Sequence, residues 1–182
     1  MLEKAIKWAR KKHDGSWRDG PSPLPYVTHP IEVLSILRYE AGVEDPDALV
    51  AAALHDVIED TDATLDDVER KFGQGAASLV EELTRTEPTD EEVAGLSAAK
   101  VRDLRSNLLL ADIAKMSKMA KVIKLCDRLS NLRNSRVTRP PDALRRYLEQ
   151  TDRILEIVPR KVSPNVWDAV KALAEQVARE VA

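Results

Sequence analysis

Six side chains in this sequence have the types and spacing of a metal-dependent hydrolytic site. They are two histidines and four carboxylates: His29, His55, Asp56, Glu59, Asp60 and Asp127. The middle four lie within six residues, so a helix would place a candidate ligand pair and a second acidic pair one turn apart. Imidazole and carboxylate ligands suit manganese, iron or zinc. A bound ion that activates water predicts hydrolysis of a phosphate ester or anhydride.

Each of these residues also has a structural explanation when it is taken alone. His29 precedes Pro30 and could cap a helix, and His55 follows an apolar segment and could be a hydrogen-bonded core residue. Asp127 could form an ion pair with a neighbouring cation. The chain has only three histidines, however, and two of them belong to the set. The combination therefore favours a metal site over six unrelated structural roles.

Helical spacing of apolar residues predicts that helices position this set, with no sheet. The expected helices cover about 2–12, from Pro30 to near Gly42, from Pro46 through residue 60, from Thr64 to Gly73, a fifth around 77–83, and then about 97–114, 117–135, 142–158 and 165–181. Proline and glycine predict a loop over residues 14–28, and the acidic residues 86–96 are expected to form a mobile loop. The predicted fold class is all-α.

The composition is that of one globular domain over residues 1–182. The chain has 43% hydrophobic and 32% charged residues, with a net charge of −3, which argues against a nucleic-acid partner. The single cysteine, Cys126, cannot form an intramolecular disulfide, and the N-terminus lacks the apolar run of a signal peptide. Apolar runs are too short for a membrane span. We therefore expect a cytoplasmic protein without a membrane or nucleic-acid partner.

Cations near Asp127 are candidates for binding phosphate. Five of them follow one another at roughly helical spacing: Lys118, Lys121, Lys124, Arg128 and Arg133. Lys124 is the strongest candidate, because it lies about one turn before Asp127 on the same helical face. The alternative for the set is a solvated helix surface.

Three segments, residues 26–30, 52–61 and 124–133, resemble the HD hydrolase domain of RelA/SpoT proteins. The pairs Phe72-Gly73, Leu79-Val80 and Leu83-Thr84 match the same family in order. The similarity covers about residues 2–158, before the predicted helix at about 165–181, and is closest to the stand-alone small alarmone hydrolases. It implies a helical HD-domain phosphohydrolase. Such enzymes remove pyrophosphate from the ribose 3′ position of ppGpp or pppGpp, usually with Mn²⁺, although another divalent metal would serve.

The resemblance also implies roles for individual residues. His29, His55, Asp56 and Asp127 match the metal ligands, and the acidic pair that follows them, Glu59 and Asp60, matches residues that orient and activate water. Further residues match the substrate side: Arg18 against the nucleotide base, Asn131 beside the metal, and Tyr147 lining the nucleotide site. We add Lys124 to this substrate-binding set because of its helical spacing from Asp127.

Four positions depart from the family pattern: Asp19, Cys126, Ser130 and Asn134. Cys126 replaces a small alanine of the family, and an aromatic residue or histidine of the family is Ser130 here. Asp19 and Ser130 leave every implied metal ligand intact, so these two departures concern substrate choice and not the hydrolytic chemistry. A related phosphatase acting on the 2′-phosphate of NADPH or on the adenosine alarmone ppApp is one alternative. A non-catalytic nucleotide-binding regulator is another, although it would not need the complete acidic pair. The expected partner is the nucleotide substrate, and a homo-oligomer is left open.

Overall fold

The computed structural model describes residues 1–181, which fold into helices joined by short connections. The helices are α1 (Leu2–Lys12), α2 (Thr28–Ser35), α3 (Pro46–Leu54), α4 (Val57–Asp60), α5 (Leu65–Phe72), α6 (Gln74–Leu83), α7 (Asp90–Val93), α8 (Ala98–Lys115), α9 (Lys118–Thr138), α10 (Pro141–Ile157) and α11 (Pro164–Glu180). A π-helical turn, Ile36–Glu40, continues α2, and a 3-10 turn, Arg160–Val162, precedes α11. No β-strand occurs among residues 1–181, so the all-α prediction is confirmed.

Several helices begin where the sequence places a capping residue. The side chain of Asp45 accepts a hydrogen bond from the amide of Ala48 ahead of α3. Thr64 and Asp67 form both hydrogen bonds of a capping box at the start of α5. Such caps satisfy amide groups that have no partner within the helix. Gly73, with φ at 94°, ends α5 and leads directly into α6.

Two predicted segments differ from the structure. The helix expected from Pro46 through residue 60 is interrupted at His55 and Asp56, and α4 restarts at Val57. Asp56, with φ −97° and ψ −3°, precedes α4, and its carboxylate faces the histidines. The expected mobile loop over residues 86–96 contains the short helix α7, which Thr89 and Glu92 close with a second capping box.

The long helix α9 lies at the centre of the fold. It packs against α2, α3, α6 and α11, and most of its residues between Ala120 and Leu132 are buried. One large hydrophobic cluster surrounds its first half. A second, smaller cluster forms around Leu132 together with Leu144, Leu148, Ala174 and Val177. Within residues 1–181, no helix has the length and apolarity needed to cross a membrane.

Candidate metal centre and adjoining cavity

Three helices bring the candidate metal ligands together. His29 lies in the first turn of α2, His55 directly follows α3, and Asp127 lies in the buried part of α9. One ligand atom from each lies within 4.8 Å of the others, and all three side chains are buried. The sequence separates these residues by up to 98 positions, so only the packing of α2 and α3 on α9 unites them.

The interruption between α3 and α4 adds a fourth side chain to this cluster. Asp56 Oδ1 lies 3.0 Å from Nε2 of His55, and Asp56 Oδ2 lies 3.3 Å from Nε2 of His29. Nε2 of His29 is also 3.2 Å from Oδ1 of Asp127. The structure thus places the two imidazoles between two carboxylates.

The hydrogen bond of Nδ1 in His55 determines which nitrogen of that ring can bind a metal. Nδ1 of His55 lies 2.9 Å from the carbonyl oxygen of Ala52, so it must donate, and in the neutral ring that binds a metal the lone pair is therefore on Nε2. That Nε2 is buried, and its polar neighbours are the carboxylates of Asp56 and Asp127, at 3.0 and 3.7 Å. A buried lone pair that faces two carboxylates is what a divalent cation requires. The donor set therefore fits a divalent metal.

Without an ion, the four groups shift one another's protonation strongly. Burial lowers the pKa of His55, but the charge of Asp56 and hydrogen bonds to Asp127 and Asp56 outweigh burial and raise it to about 10. Burial would raise the pKa of Asp127, yet the charge of Lys124 and the two imidazoles hold it well below its usual range. The carboxylates are thus ionised and ready to bind a cation.

The acidic pair lies beside the ligands at the end of α4. Oε1 of Glu59 accepts a 2.9 Å hydrogen bond from the amide of Arg85, and Oε2 lies 3.0 Å from Nε of the same arginine. Burial raises the pKa of Glu59, and the hydrogen bond from Arg85 and the charge of Lys124 only partly oppose this. Glu59 is therefore a carboxylate that can exchange a proton nearer to neutral pH. Asp60 borders the same cavity.

A cavity of about 910 Å³ opens from the metal ligands towards α8 and α10. Asp56, Glu59, Asp60 and Asp127 line one end of it. Seven arginines, which we call the arginine wall, also line it, together with acidic and neutral side chains that include Glu87, Asp103 and Glu149. The seven are Arg85, Arg102, Arg105, Arg128, Arg139, Arg146 and Arg153. Arg128 is buried, and its Nη2 donates a hydrogen bond to Gln150. Its Nη1 has no hydrogen-bond partner within residues 1–181. The cavity is large enough for a nucleotide and suited to a polyanion.

The predicted cations separate into two groups. Lys124, whose Nζ lies 3.0 Å from Oδ2 of Asp127, and Arg128 border the cavity. Lys118 and Lys121 do not border it. Arg133 points to another side of α9, where it pairs with Glu32 and Glu40. Because an α-helix has 3.6 residues per turn, only one face of α9 borders the cavity.

The residues implied on the substrate side lie in three different settings. Asn131 lines the cavity and donates a hydrogen bond to Oδ1 of Asp127. Tyr147 also lines it, with its ring between the guanidinium groups of Arg128 and Arg139, at 4.3 and 4.7 Å. Arg18 folds onto α9, where it donates to Asn131 Oδ1 at 3.3 Å. Its guanidinium is therefore held beside the site and does not extend freely over a base.

Sequence reasoning missed two residues of this site. Tyr26 donates a 2.6 Å hydrogen bond to Asp56 Oδ2, and its position three residues before His29 was the available signal. Arg85 holds Glu59 from the segment that follows α6, and no motif marked it. Most of the arginines on α8 and α10 were also missed, because ordinary surface helices carry similar charges.

The helical fold and the cluster of candidate metal ligands point to one class of protein. Residues 5–156 match the family model of the HD domain, and the chain belongs to this family.

Named relatives narrow the class. Over 135 residues the chain is 39% identical to the guanosine-3′,5′-bis(diphosphate) 3′-pyrophosphohydrolase MESH1 of Drosophila melanogaster, with 74% of this chain and 69% of that protein aligned. The Homo sapiens protein of the same name is 49% identical over 84 residues, 46% of this chain and 47% of that protein. The chain thus aligns with about half of the human relative. A solved structure of a metazoan SpoT orthologue, described as hydrolysing ppGpp, superposes with a TM-score of 0.83 at 33% identity and covers 96% of this chain and 94% of that one.

Proposed function

We propose that this chain hydrolyses the 3′-pyrophosphate of guanosine alarmones, converting (p)ppGpp and water into GDP or GTP and pyrophosphate. The observation that carries the proposal is the cavity that joins a His/Asp metal cluster to a wall of arginines. A substrate with two separate phosphate groups needs both features, one where a phosphate reacts and one where the other is held. The activities named for the relatives agree with it.

His29, His55, Asp56 and Asp127 would hold the metal, and we propose Mn²⁺ as the ion. When bound, a divalent ion lowers the pKa of its water and neutralises phosphate charge. The nitrogen and oxygen donors of this set suit Mn²⁺, although they also accept other divalent ions.

Glu59 and Asp60 are the proposed catalytic pair. Glu59 accepts the proton of the attacking water, because its raised pKa brings it nearer to the working pH and its carboxylate is held by Arg85. Asp60 orients the same water from the end of α4. Burial lowers the pKa of Lys124, but the charges of Asp127 and Asp56 outweigh it and raise that pKa, so Lys124 stays protonated. Its ammonium neutralises charge on the leaving pyrophosphate.

Arginines of α8 and α10 bind the remaining phosphates, and Asn131 and Tyr147 complete the nucleotide site, with Arg18 holding Asn131 from beside it. Two of these arginines, Arg102 and Arg146, border the cavity and form no ion pair within residues 1–181. Guanidinium groups recognise phosphate oxygens through two parallel N–H donors, which suits the wall to a diphosphate or triphosphate.

Product analysis tests the proposal. The protein is incubated with ppGpp and Mn²⁺, with and without a chelator, and the products are separated by anion-exchange chromatography. GDP and pyrophosphate that disappear on chelation and in Asp56→Ala are the expected result. Orthophosphate released from NADPH, or turnover of ppApp in preference to ppGpp, would overturn the guanosine assignment. Tight ppGpp binding without any product would overturn catalysis.

The remaining parts of the proposal concern the whole chain. We assign residues 1–182 to a single HD domain and place the protein in the cytoplasm, because its proposed nucleotide substrate occurs there. A homo-oligomer is compatible with this assignment, and sedimentation of the purified protein measures it.

A further inference from the structure

Ser130 connects a metal ligand to a carboxylate on α2. The side chain is completely buried on α9. Its Oγ lies 2.9 Å from Nδ1 of His29, 2.7 Å from Oε2 of Glu32 and 3.4 Å from Nη1 of Arg18. These contacts join the loop over residues 14–28, α2 and α9 at one hydroxyl group.

The capacity of a hydroxyl group decides which way each hydrogen bond runs. A serine has one O–H donor and two acceptor lone pairs. The carboxylate of Glu32 can only accept, and the guanidinium of Arg18 can only donate. One lone pair of Ser130 therefore remains for His29, whose Nδ1 must carry a hydrogen and donate it.

This assignment leaves the lone pair of His29 on Nε2, the nitrogen that faces Asp56 and Asp127. Glu32 is itself held, since Nη1 of Arg133 lies 3.1 Å from its Oε1. The other histidine, His55, gains the same orientation from a backbone carbonyl. Histidine ligands in metalloproteins commonly depend on such partners.

We propose that Ser130 and Glu32 are positioning residues that fix the tautomer and ring orientation of His29 for metal binding. Ser130 is one of the positions that depart from the family pattern, and its contacts with His29 and Glu32 give that departure a structural role in this chain. The proposal rests on the metal site proposed above but does not depend on which nucleotide is hydrolysed.

Arg18 extends the same connection to the substrate side. It donates to Ser130 Oγ and to Asn131 Oδ1, and Asn131 in turn donates to Asp127. One arginine of the loop therefore contacts the hydrogen-bond partners of two metal ligands. Through these contacts Arg18 supports the orientation of both His29 and Asp127.

Direct metal titration tests the proposal. Mn²⁺ binding to the metal-free protein is measured by calorimetry for the parent, Ser130→Ala, Ser130→Thr and Glu32→Gln. Ser130→Ala should weaken the affinity by about 10–100-fold, the usual effect of removing a partner of a metal-binding histidine. Ser130→Thr keeps the hydroxyl and should restore most of the affinity. Ser35→Ala, which removes a serine hydroxyl from the exposed side of α2, should leave it unchanged.

A second readout separates positioning from general packing. In the Zn²⁺-loaded protein, which is diamagnetic, the Nδ1 proton of His29 should give a slowly exchanging imidazole signal that Ser130→Ala removes. Only three histidines contribute to this region of the spectrum. Unchanged Mn²⁺ affinity in both Ser130→Ala and Glu32→Gln would overturn the proposal. Failure of ppGpp hydrolysis with normal metal binding in the parent would overturn the proposed function alone.

Discussion

The hydroxyl of Tyr26 donates a 2.6 Å hydrogen bond to Oδ2 of Asp56, one of the four candidate metal ligands. Tyr26→Phe removes this donor and keeps the ring that packs near His13 and His29. We expect Mn²⁺ affinity and turnover to fall by about 10–100-fold with the fold retained. Calorimetric titration and circular dichroism measure the two effects.

Tyr39→Phe is the matched control, because Tyr39 is 81% exposed and neither belongs to the candidate metal cluster nor lines the cavity. An equal loss in both variants, or none in Tyr26→Phe, would contradict a role for the phenol in holding Asp56.

Removal of the metal should lower thermal stability. An ion present at about 100 times its Kd stabilises the folded state by about 2.7 kcal/mol. For a chain of this length, that corresponds to a rise of roughly 5–11 °C in Tm. Thermal scans with and without a chelator measure it. His55→Gln should lose the metal-dependent rise, whereas His13→Gln should keep it, because His13 is buried nearby but lies outside the ligand cluster.

The acid side of the pH–rate profile should depend on Glu59. Burial raises its pKa, so the carboxylate that accepts the proton forms only at a pH above the ordinary range for glutamate. We expect kcat/KM to rise with pH through that raised value. Glu59→Gln should lower kcat by about 10²–10⁴-fold and lack this limb.

Glu81→Gln, an exposed glutamate on α6, serves as the control and should reproduce the parent profile. The same acid limb in Glu59→Gln as in the parent would assign the titration to another group.

The arginine wall can be tested with two neighbouring residues of α10. Arg146 borders the cavity, whereas Arg145 pairs with Asp142 and does not. Arg146→Ala should raise KM for ppGpp about tenfold, the loss expected for a hydrogen bond to a charged group. Arg145→Ala should leave KM unchanged. Initial rates over a range of ppGpp concentrations decide between them, and equal effects would rule out a specific contact.

The helices and caps could be predicted because they depend on local signals. Asp45, Thr64 and Gly73 mark helix ends through their own hydrogen bonds or backbone angles, and the structure places the ends there. The interruption at Asp56 could not be predicted in this way. Local periodicity continues through it, and the contacts of the Asp56 carboxylate with His29 and Tyr26 are made across the tertiary structure, so local signals do not report them.

The candidate ligands could be selected from the sequence because histidine is rare in this chain and two of its three histidines accompany acidic residues, and the structure brings them together. The partners of these ligands were not visible. Ser130 was noted only as a departure from the family pattern, although it contacts His29. Apart from Arg128, the arginines of the wall gave no sequence signal, since their proximity depends on how α8 and α10 pack together.

The small cluster around Leu132 has a consequence for motion. The buried residues Leu144 and Leu148 in the first half of α10 belong to it, whereas Ile154 and Leu155 belong to the large hydrophobic cluster. Segments with fewer buried apolar contacts open at lower free energy than the global unfolding reaction. Backbone amides near Tyr147 should therefore exchange with deuterium earlier than those around Asp127. The α10 side of the cavity can then open locally while the helices that carry the candidate ligands keep their hydrogen bonds.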